Sequence, residues 1–328
     1  MRLRLLSADD VRHSLPMADA VQAMKDAFRQ FSNGQAEVPL RSRLEVAESG
    51  GVALFMPAYL HGSRDLAVKA VSVFPRNPDR GLPTIHALVI VFDPETGAPA
   101  GLIEGATLTA LRTGAASGAA TDLLANLEAR AVAIFGSGAQ ARTQLEAVCA
   151  VRPVERVWIF SLDRRGAEAM AEHAAHHMPG VEIRLAQTPD QAAAGADVIC
   201  TATTSFKPVF PDRVLLPGVH INAIGAFTPD MQEIDPATVA RARIFVDSRQ
   251  AALAEAGDLI QPIRQGRIKE DWIQAELGEV VAGSRPGRMG PEEITLFKSV
   301  GLAVQDAVAA GAILRRAEAE GLGQVIEI

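Results

Sequence analysis

One stretch, Ala131–Leu145 (AVAIFGSGAQARTQL), constrains the fold more than any other part of this 328-residue chain. Ala131–Phe135 is an apolar run of the length of a buried parallel strand, and Ala139–Ala150 fits an amphipathic helix. Between them Gly136, Gly138 and Ala141 keep the spacing G-x-G-x-x-A. The first glycine permits a tight turn, the second lets backbone approach a pyrophosphate, and the small third residue lets helix pack on strand. Amides and dipole at such a helix start favour a bound phosphate. Gly136, Ser137, Gly138, Ala139 and Gln140 are therefore expected to contact a dinucleotide.

Strand and helix signals alternate after this point. Strands are expected at Arg156–Phe160, Val181–Leu185, Asp197–Thr201, Val219–Ala223 and Ile244–Val246, with the clearest helix at Arg164–His176. That order predicts a doubly wound parallel sheet with its ligand at the strand carboxyl ends. Thr201, Ala202 and Thr203 follow one strand there, and Asn222, Ala223 and Gly225 end and follow the next. The second strand bears on the choice between NAD and NADP. An acidic residue at its end suits the ribose hydroxyls of NAD. Here Ser161 stands first and Asp163 comes late, so Ser161 with Arg164 or Arg165 suits a 2′-phosphate and tilts the expectation slightly towards NADP.

The region before this domain has a different period. A capping-box start at Ser7 and Asp10 and a helix after Pro16 precede strand-like runs at Arg43–Val46, Val52–Met56, Leu66–Phe74, Ile85–Phe92 and Ala100–Ile103. An α+β layer with antiparallel strands is expected. Thr107–Leu124 reads as a helix so rich in glycine and alanine that close packing against a neighbour is implied. A last helix, Ser299–Glu320, begins after the nucleotide domain is complete and is expected to return to the first domain. The expected architecture is α/β. A discontinuous α+β substrate-binding and dimerisation domain spans 1–115 plus 299–328, and a Rossmann-type domain spans 116–298.

Net charge of -7 argues against a nucleic-acid partner, and no apolar run is long enough for a membrane span. Cys149 and Cys200 read as buried thiols of a reducing, cytoplasmic compartment. His173, His176 and His177 lie on a charged helix without acidic or cysteine partners, so no metal site is expected. Isolated cations stand out in the first region. Lys69 interrupts the apolar alternation of its strand, and Arg112 lies in a nearly uncharged helix, where a buried guanidinium requires an anion. Arg41 follows Pro39 in a polar loop, and His86 sits on a strand.

These residues resemble the ornithine cyclodeaminase and mu-crystallin family over nearly the whole chain. The likeness is carried by Met56–Tyr59, Lys69, Thr107–Thr113, Gly136–Gln140, Gly218–Gly225, Val246–Ser248, Glu255–Asp258, Ala275–Glu279 and Phe297–Ser299. It implies a homodimer built on the first domain. It also implies that Lys69, Arg112 and Arg41 bind the carboxylate of an amino or imino acid, that His86 lines the pocket, and that Glu255 and Asp258 lie near the nicotinamide or a catalytic water. The chain departs from the family at Phe227. Cyclodeaminases and related archaeal alanine dehydrogenases carry there the aspartate assigned to proton transfer. Phenylalanine exchanges no proton, and such help is worth about 10²–10⁴-fold.

The resemblance thus implies an NAD(P)-dependent oxidoreductase acting on C–N bonds. The expected activity is reduction of a small cyclic imine carboxylate, such as 1-pyrroline-2-carboxylate or 1-piperideine-2-carboxylate, to the L-amino acid. The alternatives are ornithine cyclodeamination or a related amino-acid dehydrogenation, and a non-enzymatic NADP(H)- or ligand-binding role like that of mu-crystallin.

Overall fold

The computed structural model describes residues 2–328. It divides into two compact units, one running to Arg112 and resuming at Leu302, the other Thr113–Gly301. The first unit contains β1 (Arg2–Leu6), β2 (Ala36–Glu37), β3 (Ser42–Val46), β4 (Gly51–Leu60), β5 (Leu66–Val73), β6 (Ile85–Phe92) and β7 (Pro99–Glu104). The second holds β8 (Ala131–Phe135), β9 (Arg156–Phe160), β10 (Glu182–Leu185), β11 (Val198–Thr201), β12 (His220–Ala223), β13 (Arg243–Val246), β14 (Ile273–Glu276) and β15 (Thr295–Lys298). β16 (Gln324–Glu327) ends the chain in the first unit.

The first sheet runs β16-β1-β7-β6-β5-β4-β2, with β3 also on β4. Its pairings are antiparallel except for β1 beside β7. Register explains its two faces. Met56, Lys69, Val89, Ile103 and Leu6 lie opposite one another across five strands, and all are buried. Helices Met17–Ser32 and Ala303–Glu320 pack against each other, and the latter also covers β4, β5 and β6. The next row, Pro57, Val68, Ile90, Leu102 and Leu5, points the other way, followed by Phe55, Ala70 and Leu88. Phe55 and Leu88 are 44% and 49% exposed, so this outer face is apolar and open in the single chain.

The second sheet is parallel throughout and runs β10-β9-β8-β11-β12-β15-β13-β14. This is a Rossmann-type order extended at one side. Its direction reverses between β8 and β11, which opens a crevice at their carboxyl ends. Apolar residues fill both faces: Phe135, Ile199, Phe210 and Ile221 on one, Ile134, Leu145, Val157 and Met170 on the other. β14 and β15 had no counterpart in the strand signals. The last helix, expected from Ser299, starts at Ala303, after β15.

The alanine-rich helix spans Gly105–Leu124. Its close packing has a visible cause: a Cβ on Gly114 would collide with the Thr143 backbone in the helix Ala139–Val151. Among the described residues no helix is long and apolar enough to cross a membrane.

Candidate functional site

In the second unit, β8 ends at Phe135 and the chain turns at Gly136, whose φ of 113° is open to glycine and strained for other residues. Its N–H donates to Phe160 at 2.9 Å, and a Cβ there would lie 2.5 Å from the Ala202 oxygen. Gly138 caps the helix Ala139–Val151 without a side-chain bond, and a Cβ on it would meet nothing within 4 Å. The helix start therefore faces open space that glycine keeps clear. Gln140 Oε1 is buried there without a partner, and Ala141 is fully buried against the sheet. The turn, the cleared space and the uncapped amides fit a dinucleotide pyrophosphate.

Beside this cradle, Ser137 Oγ donates to Ser161 Oγ at 3.1 Å. Asp163 is occupied as a helix cap, accepting from the Gly166 amide at 3.1 Å, and Arg164 pairs with Glu168 at 2.9 Å. Ser161 follows β9 directly, and its Oγ also accepts the Asp163 amide at 3.2 Å.

The strand-end loops are held by a residue that sequence reasoning missed. Glu233 is fully buried, and its carboxylate accepts four hydrogen bonds. Oε1 receives the Thr203 amide and hydroxyl, each at 2.7 Å. Oε2 receives Thr201 Oγ1 at 2.8 Å and the Gly225 amide at 2.7 Å. A Cβ on Gly225 would strike Thr203 and Glu233, so the two loops approach as closely as backbone allows. Burial and neighbouring Asp258 push the Glu233 carboxyl above its usual range, opposed by Lys298 and Thr203.

Two expected site residues lie in the interior of this unit. Asp258 is fully buried, accepts from the Glu233 and Ile234 amides at 2.7 and 2.9 Å, and pairs with Lys298 at 3.0 Å. These contacts tie Asp258 to the backbone and to Lys298 within the unit. Asn222, also buried, donates to Thr121 Oγ1 at 2.9 Å and is bonded to His220. Ala223 is buried, while Ala202 and Glu255 are half-buried. Phe227 is 54% exposed on the loop after β12.

The first unit assembles the cationic set. Lys69 Nζ lies 2.7 Å from Asp306 Oδ2, and Arg112 Nε 2.9 Å from Asp306 Oδ1. Arg112 Nη1 also donates to Gln305 Oε1 at 2.8 Å. All three charged side chains are almost fully buried. Burial pushes the Lys69 amine down to about 8; Asp306 opposes this, while Arg112 and Arg41 add to it. Arg41 is therefore within electrostatic reach of Lys69. Burial alone would raise the Asp306 carboxyl, but Arg112 and Lys69 hold it below its usual range.

His86 does not join this group. It lies opposite Ser72, an odd number of residues from Lys69 on the paired strand, so alternation turns it to the outer face. There it lines a notch with Ser72, Arg76 and Arg80. Asp306 and Gln305 were the unforeseen members, although they are the two polar residues in the otherwise apolar or small run Gly301–Leu314.

Known proteins resemble this chain over nearly its whole length. The ornithine cyclodeaminase/mu-crystallin family model matches residues 2–321. A Delta(1)-pyrroline-2-carboxylate reductase of Bacillus cereus is 39% identical over 324 residues, covering 98% of this chain and 99% of the relative. The solved Delta(1)-pyrroline-2-carboxylate reductase of Thermococcus litoralis, in complex with NADH and L-proline, superposes with a TM-score of 0.93 at 42% identity, over 98% and 99% of the two chains. An archaeal alanine dehydrogenase dimer with bound NAD gives a TM-score of 0.92 at 35% identity, over all of both chains. On this match over nearly its whole length, the chain belongs to the ornithine cyclodeaminase/mu-crystallin family.

Proposed function

We propose that this protein is an NAD(P)H-dependent reductase of a small cyclic imine carboxylate, such as 1-pyrroline-2-carboxylate or its six-membered counterpart, giving the L-amino acid. The observation that carries the reading is the pairing of a retained cationic set, Lys69 and Arg112, with Phe227 at the position where cyclodeaminases carry an acid. Lys69, Arg112 and Arg41 bind the substrate carboxylate; bidentate and charge-assisted bonds of this type orient a small planar substrate. The reduced nicotinamide, when bound, supplies the hydride that the imine carbon accepts. A cyclic imine that arrives protonated on nitrogen needs no side-chain acid, which suits Phe227. Cyclodeamination needs proton transfer at the amine more than once, and Phe227 supplies none; Asp230 is exposed three residues on.

Gly136–Gln140 hold the pyrophosphate, and the loops of Thr201–Thr203 and Asn222–Gly225 border the nicotinamide end. Ser161 at the end of β9, with Arg164 and Arg165 at the following helix start, favours NADP(H) over NAD(H). The apolar outer face around Phe55, Val68, Leu88 and Ile90 fits a second copy of the chain, which supports a homodimer. Free Cys149 and Cys200 suit the cytoplasm.

The test is oxidation of NADH and NADPH, side by side, by purified protein supplied with 1-pyrroline-2-carboxylate or 1-piperideine-2-carboxylate. A parallel reaction of L-ornithine with NAD is assayed for proline and ammonia. Imine-dependent oxidation is expected, faster with NADPH. Silence with both imines, together with proline and ammonia from ornithine, would overturn the reading.

A further inference from the structure

The cluster that binds the substrate carboxylate contains a carboxylate of its own. Asp306 projects from the first turn of the helix Ala303–Glu320 and bridges Lys69 and Arg112 through separate oxygens, at 2.7 and 2.9 Å. Gln305, one residue earlier, accepts from Arg112 Nη1 at 2.8 Å and from the Leu302 amide at 2.9 Å through the same oxygen. Two donors on that atom fix the amide's orientation and leave Gln305 Nε2 buried without an acceptor. Two cations and one anion leave a buried surplus of one positive charge, beside an orphaned donor. Interiors tolerate such a surplus poorly unless a further anion neutralises it.

We propose that Asp306 is the positioning residue of the carboxylate site: it holds Lys69 and Arg112 together in their charged forms and leaves the cluster short of one negative charge, which the substrate carboxylate supplies. This rests on the functional reading above. The groups facing Lys69 are Asp306 from the last helix, Arg112 from the helix Gly105–Leu124, and Arg41 from the segment before β3. Of these only Asp306 favours the protonated amine. A lysine is charged below its pKa, so carboxylate binding weakens as pH rises through about 8. Removing the Asp306 charge lowers that value further, because one opposed charge at contact distance is worth roughly one to three pH units.

The experiment is the pH profile of kcat/KM for 1-pyrroline-2-carboxylate, for the unaltered protein and Asp306→Asn. Cofactor binding and thermal unfolding are followed alongside. The alkaline limb of the variant is expected to move down by roughly one unit or more. Near neutral pH, KM should rise about tenfold or more while kcat changes less. A purely structural role would lower activity at every pH without moving the limb, and an unmoved limb overturns the proposal. If Asp306→Asn does not fold, Lys69→Met/Asp306→Asn removes the repelling partner too. Its recovery of folding and cofactor binding supports the assignment, and a double variant as unstable as the single one overturns it. Failure of the unaltered protein to reduce the imine would instead strike the functional reading itself.

Discussion

Two buried lysine–aspartate pairs, Lys69–Asp306 and Lys298–Asp258, have nearly the same separation, 2.7 and 3.0 Å, and nearly the same burial. Their surroundings separate them. Around Lys298 two carboxylates, Asp258 and Glu233, meet one cation, and the acids spend their lone pairs on backbone amides and threonine hydroxyls of the same unit. Around Lys69 one carboxylate meets two cations, and Gln305 keeps an unused donor. In the first cluster acid outnumbers cation, so nothing there calls for an anion. The second is short of an anion. Burial of a lysine therefore says little about function until the charges are summed and the lone pairs followed.

The largest expected effect comes from removing the two lysines in turn. Lys298→Met leaves Asp258 and Glu233 buried without their cation and should cost about 3–5 kcal/mol of stability, read from denaturant midpoints. Lys69→Met leaves Asp306 paired with Arg112, so it should fold with a loss of about 1–2 kcal/mol. Its kcat/KM for the imine should nevertheless fall about a hundredfold. Similar stability losses in both variants would erase the distinction.

Glu233→Gln sharpens the structural side. Each carboxylate oxygen accepts from a backbone amide, so either orientation of the glutamine sets its NH2 group against an N–H. A loss of about 1–3 kcal/mol is expected in urea unfolding. Cofactor affinity should weaken about tenfold as the Thr203 and Gly225 loops relax; unchanged affinity would confine Glu233 to stability.

The smallest effect separates the signs within the ligand site. Arg41 depresses the Lys69 amine, so Arg41→Ala should raise the alkaline limb by roughly half a unit or less, opposite in direction to Asp306→Asn. A downward movement would mean that Arg41 does not act on Lys69 through charge.

What was legible in the sequence was local. The strand, glycine turn and helix from Ala131 carry their signal within fifteen residues, and Lys69 and Arg112 stood out against apolar neighbours. What stayed hidden was long-range. Asp306 meets Arg112 across 194 positions, and Glu233 reaches Thr201 across 32, so neither partner is visible from spacing. Lys298 concealed β15 because a charge in an apolar run reads as an interruption until its buried acid is known. His86 was misplaced because which face a strand residue takes depends on pairing register, and sequence alone does not supply it.

The two-faced sheet also bears on how faithfully the chain folds. β5 alternates Val68 and Ala70 outward with Lys69 inward, where Asp306 meets it. A slip of one residue against β4 or β6 would carry the ammonium to the apolar face and leave the acid with one of its two partners. Misaligned strands are thereby penalised twice, on opposite faces, by one side chain. The lysine assigned here to grip a substrate would then act earlier in the protein's life as a proofreading key for the sheet that carries it.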